Sequence, residues 1–357
     1  MKPFDVITDP VYKERKFSRL DQFFLSFIRD KRDLPFIYFT MLISFTLIPL
    51  AILLYIPGIP LWLWWSAAAA YFILNNAIFK GPFLLMMHCT SHRPFFKKEY
   101  GFWNHYHPWV IGPFFGQTPE TYYTHHLGMH HAENNLPDDE SCTMPFQRDS
   151  IRGFLTYFGV FLFTGIYHLS MYFVRKRRKK LLYRSLRGEL LFILMCIGLC
   201  FINWPATVVV FISPFLISRV VMMLGNWAQH AFIDPNDPGN SYKNSITCIN
   251  TTYNHQCWND GYHIPHHEKP AMHFSEYPLY FQSTVDEYAK NNAVVFDGIH
   301  YLHVFFYLMI KRYDLLARHF VNIGNRFKND EEVIAFLKSR TKRMSQEVMI
   351  KYTPVYG

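Results

Sequence analysis

Apolar positions along this chain gather into a few long runs, separated by polar stretches crowded with histidine and aromatic residues. Residues 35–56 and 61–79 are each nearly unbroken apolar sequence, close to the roughly 20 residues that a helix needs to cross a bilayer. Between them Pro57-Gly58-Ile59-Pro60 is long enough only for a tight turn, so the pair predicts a helical hairpin. The second helix is expected to continue past Pro82, with a kink there, and to deliver His88 and His92 beyond the hydrocarbon. Residues 93–152 then mix Trp103, Tyr106, Trp109, Tyr122 and Tyr123 with His, Asn and Pro. This is too polar for lipid and too aromatic for disorder, and it reads as half of a helical cap on the membrane. Three more apolar stretches follow, 154–174, 190–202 and 206–224. The chain is polar from there to its end, apart from an aromatic stretch at 300–309. Within 329–352, Val333, Phe336, Leu337, Met344 and Val348 repeat at helical spacing among Lys and Arg, predicting an amphipathic helix against the cap or the headgroups.

Charge decides how these runs are threaded. The net charge is +9, which at first suggests nucleic acid, but the basic residues sit beside the apolar runs. Lys13, Arg15, Lys16, Arg19, Arg29, Lys31 and Arg32 precede the first run. Arg175, Lys176, Arg177, Arg178, Lys179, Lys180, Arg184 and Arg187 follow the third. Such flanks mark the cytoplasmic face, and nucleic-acid binding is excluded on that placement. Asn203-Trp204-Pro205 then reads as an outer turn between two crossing segments, which leaves 154–174 as an interfacial or partly inserted helix. A single kinked helix over 190–224 is the alternative, and it would put the second basic cluster outside. The expected fold class is an all-α integral membrane protein. Four transmembrane helices form two hairpins, with a cytosolic helical cap and an interfacial helix. Its parts are a cytoplasmic N-terminal segment (1–34), a membrane-embedded domain with its cap (35–310) and a basic amphipathic C-terminal segment (311–357). The first 20 residues lack a signal peptide's apolar core, so the first run is expected to stay as an anchor. The six cysteines form no C-x-x-C pair and suggest no disulfide framework.

The candidate chemistry lies in histidine. Trp258 to His273 packs His263, His266 and His267 into five residues, with His255 and His273 just outside. Each buried imidazole has two nitrogens to satisfy, and a metal does so directly. His88-x3-His92 places two rings on one helix face, His126-x3-His130-His131 repeats the spacing with a neighbour, and Asn226-x3-His230 puts an amide in place of one ring. All four groups are placed just after spans that return to the same side. Nine imidazoles and an asparagine exceed one tetrahedral ion and fit two metals, although imidazole ligands alone suit zinc, copper, nickel or iron. Pro265 favours a helix start, so His266 and His267 are expected in a first turn, with His263 ahead of it. Asp260 and Glu268 are candidates to orient ligating rings, and His125 is an alternative ligand or supporting group.

In order and spacing, residues 35–275 resemble the membrane fatty acid desaturases. His88-x3-His92, His126-x3-His130-His131 and His263-x2-His266-His267 are similar to that family's three histidine boxes, and Asn226-x3-His230 is similar to the extra ligand pair of its stearoyl-CoA type. The resemblance implies a non-haem di-iron centre. Its ligands would be His88, His92, His126, His130, His131, His230, His263, His266 and His267, with Asn226 binding directly or through water. It implies molecular oxygen as co-substrate, a fatty acyl substrate (acyl-CoA or acyl-lipid), and a multi-pass protein with a cytoplasmic active site. The host bilayer would be a bacterial inner membrane first, or an endoplasmic reticulum membrane. No fused His-Pro-Gly-Gly haem segment is present, so a separate electron donor such as cytochrome b5 or a ferredoxin is expected. A second box with three spacers, where two are commoner, departs from the pattern. The rival readings are a lipid or carotenoid hydroxylase or ketolase and, from another class, a metal transporter or sensor. The latter should carry its ligands near mid-membrane, not beyond the spans.

Overall fold

The computed structural model describes residues 1–4 and 6–354. It is mostly helical, and four of its helical stretches are long and apolar enough to cross a membrane: α1 (Lys31–Tyr55), α2 (Leu61–His92), α3 (Ile151–Arg175) and α4 (Lys179–Gln229). Their outer faces carry large apolar side chains in the open, Phe45 at 73%, Phe163 at 83% and Phe201 at 89% exposed. Surfaces like these belong against lipid.

The α4 stretch is 51 residues long, and it is not straight. Asn203 leaves helical geometry at φ −157°, ψ 93°. The Asn203 side chain accepts from the Ala206 N–H at 3.1 Å, capping the second limb. Arg219 meets Glu189 at 2.9 Å, and Phe215 stacks on Phe192 at 5.5 Å. In an unbroken helix residues 189 and 219 would stand roughly 45 Å apart. The two limbs therefore run antiparallel, and the turn falls at Asn203-Trp204-Pro205 as its composition predicts. A single kinked helix over 190–224 is not what forms. The first limb also begins at Lys179, well before residue 190, so polar residues such as Glu189 extend a segment whose apolar part is short.

By internal contacts the chain divides into two compact units. One comprises Tyr12–Thr124 and Lys180–Val220, which brings α1, α2 and most of both α4 limbs together. Tyr55 at the end of α1 bonds Thr207 at 2.8 Å, and Asn203 donates to the Leu54 carbonyl at 3.2 Å, so both hairpin turns sit at the same end. The buried charges of this unit are all engaged. Lys80 donates to Ser218 at 2.8 Å and to the Phe115 and Pro214 carbonyls. Glu189 accepts from Thr118 at 2.6 Å as well as from Arg219. Gly188 is required where it stands, because a Cβ there would come within 1.6 Å of the Pro119 carbonyl oxygen. In α2 the hydrogen-bond ladder widens over Leu74–Phe79, just before Pro82. That wide turn absorbs the kink expected at the proline.

The other unit comprises Met1–Val11, His125–Lys179 and Val221–Gly357. Trp227, Phe232, Ile246, Val294, Phe296, Val304 and Leu316 lie at its core. Two short strands qualify the all-α expectation: β1 (Ile246–Ile249) pairs in parallel with β2 (Val294–Asp297), Ile246 opposite Val294. The C-terminal tail is two helices, Asp330–Arg340 and Gln346–Tyr352, where sequence periodicity predicts one. Buried Arg148 ends the first by donating to the carbonyl oxygens of Arg340 and Lys342, while its own N–H donates to that of Thr341. Those C-terminal carbonyls have no partner within a helix. Val333 and Leu337 join the core, and Met344 and Val348 pack with Cys142, Met144 and Ile233. The tail thus folds onto its own unit.

Candidate metal centre

Eight of the predicted ligands lie in this second unit, and seven of them, all imidazoles, form two groups. In the first, the Nε2 atoms of His126 and His131 stand 3.1 Å apart, and those of His131 and His266 stand 2.8 Å apart. In the second, His263 Nε2 lies 3.2 Å from His230 Nε2 and 3.0 Å from His267 Nε2. His130 joins that group, its ring 5.3 Å from His230 and 5.2 Å from His267. One nitrogen from each of His130, His230, His263 and His267 lies within 4.8 Å of every other. In the other unit His88 and His92 occupy the last turns of α2, ring centroids 5.3 Å apart.

Hydrogen bonds alone cannot satisfy these contacts. A ring nitrogen carries either one proton or one lone pair, so His263 Nε2 cannot bond well to two other Nε2 atoms. On two rings the proton is committed elsewhere. His230 Nδ1 donates to the Asn244 carbonyl at 2.9 Å, and His130 Nδ1 donates to Asp139 at 2.7 Å. That leaves lone pairs on the Nε2 atoms that converge. Two nitrogens bound about 2.1 Å from one ion in neighbouring positions are roughly 3.0–3.4 Å apart; three of the four observed spacings fall in that range, and the fourth, 2.8 Å between His131 and His266, lies just below it. The donor set fits a metal ion in each group.

Local backbone geometry explains how the rings come to face one another. Over His126–His130 the ladder shifts to i→i+5 bonds, with the His131 N–H reaching the His126 carbonyl. This wider turn brings His126 and His131 together, and wide turns of this kind recur at functional sites. It also accommodates the third spacer residue of that box. The third box forms a helix over His263–Glu268, which corrects the expectation that His263 precedes the helix. Pro265 is tolerated at its third position because N–H groups of a first turn have no partner within the helix. All three rings therefore share one helical face, at i, i+3 and i+4.

The supporting residues are partly those expected. Asp139 is buried, and its two oxygens accept from His130 Nδ1, the Asn135 N–H, the Ser141 N–H and the Ser141 hydroxyl. Burial alone would push this carboxyl up, but the His130 imidazole and the Ser141 bonds outweigh it and hold it at about 2. Asn135 also donates to Asn244 at 2.8 Å, the residue whose carbonyl holds His230, so one polar chain links partners of both His130 and His230. His266 Nδ1 lies 3.2 Å from the Tyr277 hydroxyl. Asn226 donates to the Ser141 carbonyl and to Tyr157, beside the Asp139 network. Asp260 instead accepts from Tyr253 at 2.8 Å, Glu268 is exposed at the end of its helix, and the His125 ring packs edge-on to Phe161 at 6.1 Å. The sequence signal for Asp139 was its place eight residues after His131, in a run of three acids that gives no sign of which one meets His130.

Asp9 carries no sequence signal at all. It is buried and accepts from the Tyr262 hydroxyl at 2.6 Å, the Asn250 N–H at 2.7 Å and the Thr251 N–H at 3.3 Å. Tyr262 directly precedes the His263–Glu268 helix, so an N-terminal strap braces the third box. Asp9→Ala strands three donors, each at a cost of about 1–3 kcal/mol when buried. Thermal melting of the purified variant is expected to fall by several degrees, with tryptic cleavage appearing first near residues 250–269. An unchanged melting curve would contradict the bracing role.

Acid sensitivity follows from the same burial. Desolvation, reinforced by His130, pulls His230 down to about 3; desolvation and the surrounding rings pull His267 well below its usual value. In the unfolded chain both protonate near 6.5, whereas folded they stay neutral. The unfolded state thus binds more protons below pH 6.5, and stability falls as pH drops from there towards 3. Metal-free protein is expected to lose about 1.4 kcal/mol per pH unit for each such ring, read from melts between pH 7 and pH 5. A flat profile would show these rings to be solvated.

A family model described as fatty acid desaturase matches residues 64–298. This chain belongs to the fatty acid desaturase family. The match covers well over half of the chain and includes every predicted ligand. No curated protein and no solved structure matches it. Family membership makes the chain an oxidoreductase of desaturase or hydroxylase type, and the two histidine groups are where such a desaturase-family protein would hold metal.

Proposed function

We propose that this protein is an oxygen-dependent, membrane-bound desaturase that introduces a double bond into a fatty acyl chain at a pair of non-haem iron ions. The observation that carries this reading is the convergence of Nε2 lone pairs in two groups of a desaturase-family chain. His130, His230, His263 and His267 hold one ion, and His126, His131 and His266 bind the other. The family's box pattern adds His88, His92 and Asn226 to the ligand set. When bound, the iron pair supplies the oxygen-dependent oxidation of an unactivated C–H bond, which side chains cannot perform.

The chain's own residues do the rest. Asp139 and the Asn244 carbonyl fix the Nδ1 protons of His130 and His230, so that each ring presents Nε2 in one orientation. Tyr277 steadies His266 in the same way. The protein binds the acyl chain and sets which adjacent methylenes lose hydrogen. Electrons come from a separate donor protein, a cytochrome b5, ferredoxin or similar, docking on a basic cytoplasmic face. α1, α2 and the two limbs of α4 cross the bilayer, and α3, which groups with the histidine unit, lies along the interface. The basic flanks support a cytoplasmic active site, in a bacterial inner membrane or an endoplasmic reticulum membrane.

Mass spectrometry of host lipids after expression tests the reading, with His263→Ala as control. Acyl chains two hydrogens lighter are expected with the wild type and not with the variant. Chains heavier by one oxygen would instead make the protein a hydroxylase of the same metal type. Unchanged lipids, together with purified protein lacking iron, would refute the proposal.

A further inference from the structure

Outside the histidine groups, the second unit contains a cavity of about 560 Å³ lined by Gln147, Asp149, Lys311, Tyr313, Lys338, Lys342 and Arg343. Its floor is organised. Asp149 accepts from the Tyr313 hydroxyl at 2.7 Å and pairs with Lys311 at 2.7 Å. The Tyr313 hydroxyl also meets Thr341 at 3.0 Å, and the Lys338 ammonium lies 5.5 Å from the Tyr313 ring centre. Lys311 already neutralises the one carboxylate. Lys338, Lys342 and Arg343 add three positive charges that pair with no carboxylate among the described residues. Such a cavity selects an anion rich in acceptor oxygens.

Its surroundings say what kind of anion. Asp149 stands two residues before α3, which is apolar enough to meet lipid and exposes Ile151 and Leu155 in its first turns. Lys311 directly follows Ile310, and Phe306 and Ile310 are likewise exposed, on and just after the helix Tyr301–Met309. The two helices touch through Phe154 and Phe305, ring centroids 4.6 Å apart. Cations thus line a cavity whose flanking helices present apolar side chains outward. A soluble anion has no use for that flank, whereas a phospholipid places its phosphate among cations and its tails on the apolar side. The volume also exceeds what a bare phosphate fills. Lys311, Tyr313, Lys338, Lys342 and Arg343 lie beyond the family match at 64–298, and no residue that lines the cavity belongs to either histidine group.

We propose that this cavity binds the headgroup phosphate of an anionic phospholipid, with Lys338, Lys342 and Arg343 as its cationic ligands. The proposal does not rest on the desaturase reading. The full chain, purified in detergent, is titrated with a short-chain phosphatidylglycerol, with the matching phosphatidylcholine, and with inorganic phosphate. The variant carries Lys338→Gln, Lys342→Gln and Arg343→Gln, three exposed positions. Phosphatidylglycerol is expected to bind the wild type at least about tenfold more tightly than the variant, given roughly 1 kcal/mol per cation near an anionic lipid. Binding should weaken as salt rises, and phosphatidylcholine should bind neither protein. Native mass spectrometry of the wild type gives a second readout, independent of the variant's folding: retained phosphatidylglycerol and no retained phosphatidylcholine. Equal affinity in wild type and variant, equal retention of the two lipids, or phosphate binding as tight as phosphatidylglycerol would each overturn the proposal, the last by making the ligand a soluble anion.

Discussion

Replacing His267 with alanine is expected to reduce bound iron below two per chain and activity to under about 1% of wild type. Loss of a residue that merely orients a ligand costs about 10–100-fold in metal affinity or activity, and His267 is itself a proposed ligand. Its Nε2 lies 3.0 Å from that of His263, and its ring is also within 5.2 Å of His130 and of His230 and 4.8 Å from His131. It faces one group directly and borders the other, so its removal should disturb both. Elemental analysis and Mössbauer spectra of iron-loaded protein check this. A variant retaining two irons with unchanged spectra would remove His267 from the ligand set.

The second large effect is expected from Asp139→Asn. The volume is kept, but the carboxylate accepts from four donors and an amide cannot. One amide oxygen can serve Ser141, and the NH2 group then faces the Asn135 N–H and His130 Nδ1–H that Asp139 Oδ2 now holds. Leaving a buried donor without an acceptor costs about 1–3 kcal/mol. His130 also loses the bond that fixes its proton on Nδ1, so iron affinity should fall about 10–100-fold. The melting temperature and the iron-binding isotherm of the variant measure the two effects separately. Normal iron affinity in a protein that melts early would assign Asp139 to folding alone.

The sequence was most legible where one physical requirement acts over many residues. Long apolar runs, a tight Pro-Gly-Ile-Pro turn and basic flanks each speak for a bilayer, and the Asn203 turn was readable because Asn and Pro there suit a helix cap. Histidine spacing was legible for a similar reason, since i, i+4 fixes one helical face before any tertiary contact forms. The supporting residues were not. Asp139 differs from Asp138 and Glu140 only in which side chain it meets, His130 rather than Arg175, a product of the whole unit's packing. Asp9 lies more than 240 residues from the backbone N–H groups that it holds, beyond any local pattern. The third-box helix starts two residues earlier than Pro265 suggested, because a proline marks a first turn without saying which of its positions it fills. The split in the C-terminal tail came from Arg148, nearly two hundred residues upstream.

That N-terminal strap has a consequence for how the protein is made. Asp9 leaves the ribosome early and must wait for Asn250, Thr251 and Tyr262, while β1 beside the third box must wait for β2 at Val294–Asp297. Contacts this distant along the chain form late and slowly. All seven imidazoles precede β2 in the chain, so they are synthesised before the scaffold that orients them is complete. Correct metal loading then belongs to a late stage of assembly, once β2 has paired with β1. A truncation ending before residue 294 should insert its apolar helices and still fail to acquire iron.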